Sequence, residues 1–249
     1  MDIAKRIAQL SPEQREIFEK RLVEQGIDIL QLPVYREERT NGRYFPLSFG
    51  QERLWFIQQL EPGNTAYNLV RATKLEGRLN TLALARSIDE IIRRHEILRT
   101  AFSFEEEKPV QVVLPELDLS LDHIDLGELN PAEQEKEIDR VIYTETSTPF
   151  DLSKGPLLRT KLMRLSENEH VFLLVIHHII SDGTSIQVFI RELVQLYQVF
   201  LRELESPLPE LPVQYIDFVY WQRRWFGEAA ADAVFRKKQE TFWLDEFSG

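Results

Sequence analysis

The sequence predicts an α/β fold in which a mixed β-sheet is flanked by helices. Residues 171–176 form a run of β-branched and large apolar side chains, long enough for a strand covered on both faces and too short for most helices. Patterns with apolar residues three and four positions apart, typical of helices, alternate with such runs along the chain. A second apolar run precedes residues 171–176 across a short polar loop, which predicts an antiparallel neighbour.

The composition of the chain argues against several classes of function. The chain has 249 residues, of which 43% are hydrophobic, enough for one large or two small domains with a packed core. Its net charge of −11 disfavours sequence-independent binding to nucleic acids and to acidic lipid surfaces. It has no cysteine, which excludes disulfides and thiolate chemistry and fits a reducing compartment. Because the N-terminus lacks signal-peptide features and no apolar run has the length of a membrane span, we expect a soluble cytoplasmic protein.

Residues 1–42 are predicted to form a helical extension and a linker. The run Ser11–Gln14 has the pattern of a capping box with proline at the first helical position, and Gly26 is a suitable helix end. The charged stretch 31–44 shows little periodic apolar pattern, as is typical of a linker. Two interpretations stay open: the helix packs on the next domain, or residues 1–35 are a docking segment that recognises an upstream subunit.

The predicted globular part, residues 43–249, begins with the same kind of helix cap. The run Ser48–Gln51 is a capping box, and the Pro-Gly pair at 62–63 ends the helix that it opens. Asn80 and Asn130 are N-cap candidates for two further helices. The strands predicted between these helices comprise residues 66–76, 100–104, 110–114 and 119–124.

The strand pair nearest the candidate site is predicted to be antiparallel. Residues 157–165 and 170–178 have strand patterns and are joined by the polar loop 166–169. A helical apolar stripe then begins at Ile186 and is predicted to continue to Leu204. The last third of the chain continues with two more helical patterns, at residues 213–226 and 229–247.

The turn between this strand and this helix carries two adjacent histidines, His177 and His178, followed by the pair Asp182 and Gly183. Successive strand residues point to opposite faces of a sheet, so we expect the two histidines to diverge, one toward a substrate and the other toward the fold. Asp182 is an N-cap candidate for the following helix. Gly183 can adopt backbone angles that a side chain would forbid.

The pattern HHxxxDG at His177–Gly183 resembles the core motif of the condensation domains of nonribosomal peptide synthetases. Related acyltransferases and epimerization domains share this motif, so three further stretches decide the assignment. Ser48–Trp55 and Tyr215–Gln222 resemble the first and fourth motifs of the family, each with one alanine replaced. Arg94–Phe102 matches the second motif at every fixed position. Because all of these motifs stand in the family's order, the chain is identified as a member of it.

The resemblance implies one lobe of a two-lobe, chloramphenicol-acetyltransferase-like fold, with residues 43–249 as the N-terminal lobe. Family members continue with a second lobe that completes the active-site tunnel, so we expect this chain to be incomplete and inactive as an isolated lobe. The family joins a donor acyl or peptidyl thioester to the α-amine of an acceptor aminoacyl thioester, in the synthesis of antibiotics and other secondary metabolites. Both substrates are presented on the phosphopantetheine arms of peptidyl carrier proteins, and no cofactor is bound directly. The partners implied are these donor and acceptor carriers, the second lobe and the neighbouring synthetase domains.

The same resemblance implies the roles of individual residues. His178 is the catalytic residue and orients the attacking amine in the tunnel, while His177 and Gly183 support the site. Asp182 also supports the site, either as a helix cap or as the partner of an arginine. The salt-bridge candidates are Arg53, Arg94 and Arg99. The aromatic residues expected in the tunnel or the core are Tyr215 and Trp221.

Four alternatives are weighed against this interpretation. A metal site is disfavoured because adjacent strand histidines diverge and no third ligand lies at a recognised spacing. An epimerization domain would use the same HHxxxDG motif to move an α-proton. A module without turnover would only dock carrier proteins or a subunit. A serine hydrolase is excluded because its G-x-S-x-G elbow is absent.

Overall fold

The structure is a computed structural model that describes residues 43–117, 119–226 and 233–247, and, nearer the N-terminus, residues 7, 9–11, 14–15, 17–18, 21–22, 25, 33–37 and 39. The chain forms two compact units. The first comprises Met1–Gly42 and Leu211–Gly249, and the second comprises Arg43–Glu210. None of the helices in the described part of the chain combines the length and the apolar character that a membrane span requires.

The unit Arg43–Glu210 contains the predicted alternation of helices and strands. Its helices are α1 (Phe49–Leu60), α2 (Thr81–Arg94), α3 (Pro131–Thr146) and α4 (Gly183–Phe200). Its strands are β1 (Tyr44–Pro46), β2 (Asn68–Glu76), β3 (Thr100–Glu105), β4 (Lys108–Val113), β5 (Leu121–Asp125), β6 (Leu158–Ser166) and β7 (Glu169–His177). A short 3-10 helix, Glu96–Arg99, joins α2 to β3.

The helix caps predicted from the sequence are present. Ser48 and Gln51 form the reciprocal hydrogen bonds of a capping box at α1. Asn130 does the same with Glu133 at α3, where Pro131 occupies the first turn, and Asn80 accepts the amide of Ala83 at α2. These helices therefore begin where the sequence places them.

The strands divide into two sheets, whereas the sequence indicated one. The four-stranded sheet has the order β2-β7-β6-β5, with β7 antiparallel to both neighbours and β5 parallel to β6. This sheet is mixed, as predicted. The three-stranded sheet has the order β1-β4-β3 and is antiparallel. Its hairpin turns at Glu106 and Glu107, whose φ angles of 48° and 64° match two-residue turns that usually carry asparagine and glycine, so no turn residue in the sequence marks it.

The core lies around β7. Its residues 171–176 are all buried, as expected for a strand covered on both faces. The helix α3 contacts β2, β6 and β7 on one side. On the other side, Ile91 of α2 and Phe189 of α4 line a cavity together with Leu174 and Ile176 of β7. The strand that leads to the histidines is therefore held by a neighbour on each edge and a layer on each face.

The helix α4 departs from its predicted bounds at both ends. It starts at Gly183, earlier than Ile186, because Asp182 caps it. It ends at Phe200 because Glu203 has a φ angle of 56° and the amides of Glu203 and Leu204 donate to the carbonyls of Phe200 and Val199. This is a Schellman ending with glutamate where glycine is usual, so Leu204 lies beyond the helix.

The unit of Met1–Gly42 and Leu211–Gly249 contains α5 (Tyr215–Phe226) and α6 (Ala233–Phe247). Ser11 and Gln14 form the predicted capping box, and the described residues among 14–22 are helical, while Gly26 lies outside the described residues. Of the predicted linker, residues 33–37 and 39 have no regular secondary structure.

A partly buried ion cluster joins these segments within the unit. Glu37 accepts hydrogen bonds from Arg15, at 2.6 Å, and from Arg224 of α5, at 2.8 Å. The amide of Glu37 donates to the carboxylate of Asp217 at 3.0 Å. The aromatic ring of Tyr35 lies against both guanidinium groups. The segment 33–37 is thus fastened to α5 by charge and by main-chain hydrogen bonding.

Candidate active site

Strand β7 delivers the two histidines with opposite orientations. The amide of His177 donates to the carbonyl of Leu157 at 3.0 Å, and that of His178 donates to the carbonyl of Tyr67 at 2.9 Å. His177 is the last residue of β7, and His178 is the first residue of the turn that follows it. His177 is 2% exposed, whereas His178 is exposed to solvent. The expected divergence of the two side chains is present.

The imidazole of His178 is oriented by a main-chain acceptor. Its Nδ1 atom lies 2.7 Å from the carbonyl oxygen of Ser181. A carbonyl oxygen can only accept a hydrogen bond, so neutral His178 carries its proton on Nδ1. Its Nε2 atom then has a free lone pair on an exposed ring.

His177 has the other tautomer. Its Nδ1 atom lies 3.1 Å from the amide nitrogen of Ile179, which can only donate, so Nδ1 accepts and Nε2 carries the proton. Phe150 packs edge-on against the ring, with centroids 6.1 Å apart. Burial, with a smaller contribution from His178, lowers the pKa of His177 to about 4. His177 is therefore neutral near pH 7 and inward-facing.

A glutamine from the first motif reaches the histidine turn. Gln51 is 2% exposed, and its Nε2 atom donates to the carbonyl oxygen of Ile179 at 3.3 Å. The sequence placed Gln51 in the capping box with Ser48 and in the first motif of the family, but predicted no contact with the histidine turn. The side-chain amide itself indicated a further contact. The cap uses its oxygen, so its nitrogen still needs an acceptor.

Asp182 is a helix cap and not an ion-pair partner. Its Oδ1 atom accepts from the backbone amide and from the hydroxyl of Ser185, both at 2.7 Å. These hydrogen bonds hold the pKa of the Asp182 carboxyl below its usual range. The carboxylate is exposed, so burial does not require a counter-charge. Of the two predicted alternatives, the structure has the helix cap and not a pairing with Arg94 or Arg99.

Arg94 pairs with a residue that the sequence did not single out. It is 4% exposed, and its Nε atom lies 3.4 Å from the carboxylate of Glu192 on α4. The neighbouring His95 places its Nε2 atom 2.9 Å from the same carboxylate. Arg94 also donates to the carbonyls of Leu208 and Pro209, at 3.3 and 2.7 Å. The second motif thus fastens the end of α2 to α4. In the sequence, a charged residue within the apolar stripe of α4 was the only indication that Glu192 has a buried partner.

The remaining candidates in this unit have local partners or none. Arg99 donates to the carbonyl of Leu114 and lies 3.9 Å from the carboxylate of Glu96. Arg53 is exposed and makes no ion pair within the described residues. Gly183 does not have a positive φ angle, and a Cβ atom there would meet nothing within 4 Å. Its backbone angles therefore do not require glycine. Because position 183 has no side chain, the N-terminus of α4 stays uncovered there.

Tyr215 and Trp221 belong to the other unit, on α5. The rings of Tyr215 and Phe218 have centroids 5.5 Å apart, and Phe218 stacks on Trp221 at 5.8 Å. Tyr215 is 36% exposed and Trp221 is half-buried. They form an aromatic row along the helix.

An apolar cavity of about 250 Å³ lies below the turn that joins β7 to α4. It is lined by Leu174 and Ile176, which share one face of β7, and by Ile186 at the start of α4. Its polar lining is limited to His95, Ser181 and Ser185. The cavity can accept an uncharged apolar group.

The residues that the structure describes include no cluster of three or more histidine, aspartate or glutamate side chains able to hold a metal ion. The two adjacent histidines point apart, and the carboxylate of Asp182 is used as a cap. The geometry of the turn instead provides one exposed imidazole with a fixed proton, suited to accepting a hydrogen bond or a proton.

The regions of similarity to known proteins include the whole unit Arg43–Glu210 and extend beyond it. The family model described as Condensation domain matches residues 41–249. A protein of the linear gramicidin synthase of Brevibacillus parabrevis is 45% identical over 219 residues, which are 88% of this chain and 4% of that protein. Chondramide synthase cmdD of Chondromyces crocatus is 46% identical over 203 residues, which are 82% of this chain and 5% of that protein.

A solved structure shares the fold. It is the first condensation domain of the calcium-dependent antibiotic synthetase, in complex with a substrate analogue. The TM-score is 0.74 at 22% identity, and the match covers 84% of this chain and 49% of that one. The chain thus spans about half of that structure and a small part of the synthetases it matches.

Proposed function

The chain belongs to the condensation-domain family, as its motifs predicted, and we propose that it supplies the histidine side of an amide-forming active site. The reaction joins a donor acyl or peptidyl thioester to the α-amine of an acceptor aminoacyl thioester. Both substrates are held on the phosphopantetheine arms of peptidyl carrier proteins, the partners that the family implies. The match of the family model to residues 41–249 supports the reaction class.

His178 is the catalytic residue in this proposal. The lone pair on Nε2 accepts a hydrogen bond from the attacking amine and orients it toward the thioester carbon. The C–N bond forms, Nε2 accepts the proton that the nitrogen loses, and the C–S bond breaks to release the carrier thiolate, which takes that proton from Nε2. A free α-amine has a pKa of about 7.7–8.0, so much of it is already nucleophilic near neutral pH. Orientation therefore contributes more than base strength.

The hydrogen bond between His178 and Ser181 carries this proposal. Without it, a neutral imidazole can place its proton on either nitrogen, and the Nε2-protonated form cannot accept from an amine. The exposure of His178 supports the same role because the ring can be reached by a substrate. The apolar cavity below the turn favours an apolar group on a substrate held nearby.

The remaining parts of the site have supporting roles. Asp182 and Gly183 form the start of α4, and the exposed amides of a helix N-terminus favour developing negative charge. His177 holds the turn from inside. Trp221, which is half-buried, is proposed to pack against the core of its own unit, and Tyr215 lies at the exposed end of the same aromatic row.

We infer that this chain forms one lobe of a two-lobe domain, with residues 43–249 as that lobe and residues 1–42 as its extension. The coverage of about half of the solved condensation domain supports this. A second lobe and the neighbouring synthetase domains would complete the tunnel, so the isolated chain is expected to be inactive. The ion cluster around Glu37 supports packing of the N-terminal segment over docking to another subunit.

The test uses a protein that contains both lobes and carriers loaded with donor and acceptor. Mass spectrometry should detect the condensed thioester on the acceptor carrier with the unsubstituted protein and none with His178→Ala. The chain Met1–Gly249 alone should give none. An acceptor whose α-carbon is inverted without a new amide bond would instead identify an epimerization domain, and turnover by the isolated chain would overturn the single-lobe proposal.

A further inference from the structure

Gln51 makes two kinds of contact at once. Its Oε1 atom accepts from the amide of Ser48 at 3.0 Å, and its backbone amide donates to the Ser48 hydroxyl at 3.1 Å. These are the reciprocal hydrogen bonds of the capping box. Because Oε1 is the acceptor in the cap, the side-chain NH₂ group points the other way, toward the carbonyl oxygen of Ile179 at 3.3 Å.

Ile179 is fixed through both of its main-chain polar groups. Its carbonyl accepts from Gln51, and its amide donates to the Nδ1 atom of His177 at 3.1 Å. The residue is 3% exposed, so neither group can exchange its partner for bulk water. The middle of the turn is therefore held from α1 on one side and from β7 on the other.

The same turn positions the acceptor that orients His178. The amide of Ile180 donates to the carbonyl of His177 at 3.1 Å, and Ser181 follows directly. The carbonyl of Ser181 then receives the Nδ1 proton of His178. A shift of the Ile179 peptide is transmitted through two residues to that carbonyl.

We propose that Gln51 is a positioning residue that keeps His178 in its Nδ1-protonated form by fixing the Ile179 peptide. A residue needed only as a cap does not have to be glutamine. Glutamate serves equally in a capping box, as Glu133 does with Asn130 at α3. Glutamate at position 51 would keep the acceptor for Ser48 but would replace the donor to Ile179 with a second acceptor.

The experiment measures the tautomer by NMR on protein with ¹⁵N-labelled histidine, at a pH where the imidazoles are neutral. The signals of His178 are assigned from their absence in His178→Gln. In the unsubstituted chain, Nδ1 should have the shift of a protonated nitrogen and Nε2 that of an unprotonated one. The opposite pattern in the unsubstituted chain would overturn the proposal without any variant.

The variants are Gln51→Glu and Gln51→Met, the second of which avoids a buried charge. In either folded variant, the His178 signals should move toward a mixture of the two tautomers. Gln14→Glu is the matched control for a capping box, since Gln14 caps Ser11 in the same way, and Gln134→Met is the control for an amide that bridges to carbonyls. Both controls should leave the His178 signals unchanged. Variants that fold with an unchanged tautomer would show that Gln51 only caps α1.

The kinetic experiment rests on the proposed function. It distinguishes the positioning role of Gln51 from the catalytic role of His178. In the two-lobe protein, Gln51→Met should lower kcat by about tenfold to a hundredfold, the cost of a misplaced group, with KM for the carriers unchanged. Loss of the tautomer without loss of condensation would support the positioning role and count against His178 as the catalytic residue. An unchanged tautomer with lost condensation would count against the positioning role alone.

Discussion

The Nδ1 atom of His178 lies 2.7 Å from the carbonyl oxygen of Ser181, three residues further along the chain. The adjacent His177 accepts a hydrogen bond at the same atom, from the amide of Ile179. Two histidines in sequence therefore carry their protons on opposite ring nitrogens. The exposed ring offers a lone pair on Nε2, whereas the buried ring uses its lone pair to hold the turn.

The variant His178→Asn, made in a two-lobe protein, tests whether condensation needs the Nε2 atom of His178. Asparagine can donate to the Ser181 carbonyl but has no group equivalent to Nε2. Condensation should fall by about 10²–10⁴-fold, the usual contribution of a positioned base, while the melting temperature stays unchanged. The exposed His123 of β5 provides the control, His123→Asn, with full activity. Retained activity in His178→Asn would assign the chemistry elsewhere.

Burial of His177 makes the stability of the protein depend on pH. The pKa of His177 is about 4 in the folded protein and near 6.5 in the unfolded chain, so the unfolded chain binds more protons between these values. The free energy of unfolding should thus fall as the pH falls from 6.5 to 4, by up to about 3 kcal/mol from this residue. Above pH 6.5 both states are neutral and the slope ends.

The variant His177→Asn isolates that contribution. The side-chain oxygen of asparagine can accept from the amide of Ile179, as Nδ1 does, but it does not titrate. Urea unfolding curves at several pH values should show a smaller decrease of stability toward pH 4 for the variant than for the unsubstituted chain. Equal slopes would mean that the buried imidazole is not protonated on unfolding.

The cap of Asp182 should be measurable as stability. Asp182→Ala removes the acceptor for Ser185 and should cost about 1 kcal/mol, whereas Asp182→Asn should keep most of it. Asn80→Ala, at the start of α2, should cost a similar amount at a site away from the histidine turn. Thermal unfolding by circular dichroism compares the three. A loss for Asp182→Asn as large as for Asp182→Ala would point to a role for the charge.

Two consecutive arginines should differ in their contribution to folding. The side chain of Arg94 is 3% exposed and that of Arg93 is 54% exposed, although both form ion pairs. Arg94→Met leaves Glu192 buried with a lost partner and should cost about 3–5 kcal/mol. Arg93→Met removes two surface pairs, with Glu90 and Glu210, and should cost less than about 1 kcal/mol. Urea unfolding measures both, and similar costs would show that Glu192 is not held by Arg94.

The N-terminal segment should loosen when Asp217 is changed. The carboxylate accepts the amides of Glu37, at 3.0 Å, and of Gln214, at 2.6 Å. In Asp217→Ala, the amide of Glu37 should exchange its hydrogen faster in deuterium oxide. Asp139→Ala, at an exposed position of α3, serves as the control. Unchanged exchange at Glu37 would leave docking to another subunit as the better interpretation of this segment.

The features that sequence reasoning predicted are those with local causes. The caps at Ser48, Asn80 and Asn130 depend on residues within one helical turn, and the strand at 171–176 depends on its own apolar run. His177 is buried because it ends the strand in the core, whereas His178 is exposed in the turn that follows.

The features that it missed depend on distant contacts or on unusual backbone angles. Glu192 meets Arg94 across 98 residues of sequence, and Gln51 meets Ile179 across 128. No local pattern encodes either partner. The turn at Glu106 and Glu107 adopts positive φ angles without glycine or asparagine, so the second sheet could not be separated from the first.

The position of β7 has a consequence for how the site comes into being. It is the last strand in the described part of the chain, yet it lies inside its sheet, between β2 and β6. During synthesis, β2 and β6 have no shared neighbour until residues 169–177 have emerged from the ribosome. The four-stranded sheet is therefore complete only once β7 has paired with both neighbours, and the same pairing places His177 at the end of the strand and His178 in the turn after it.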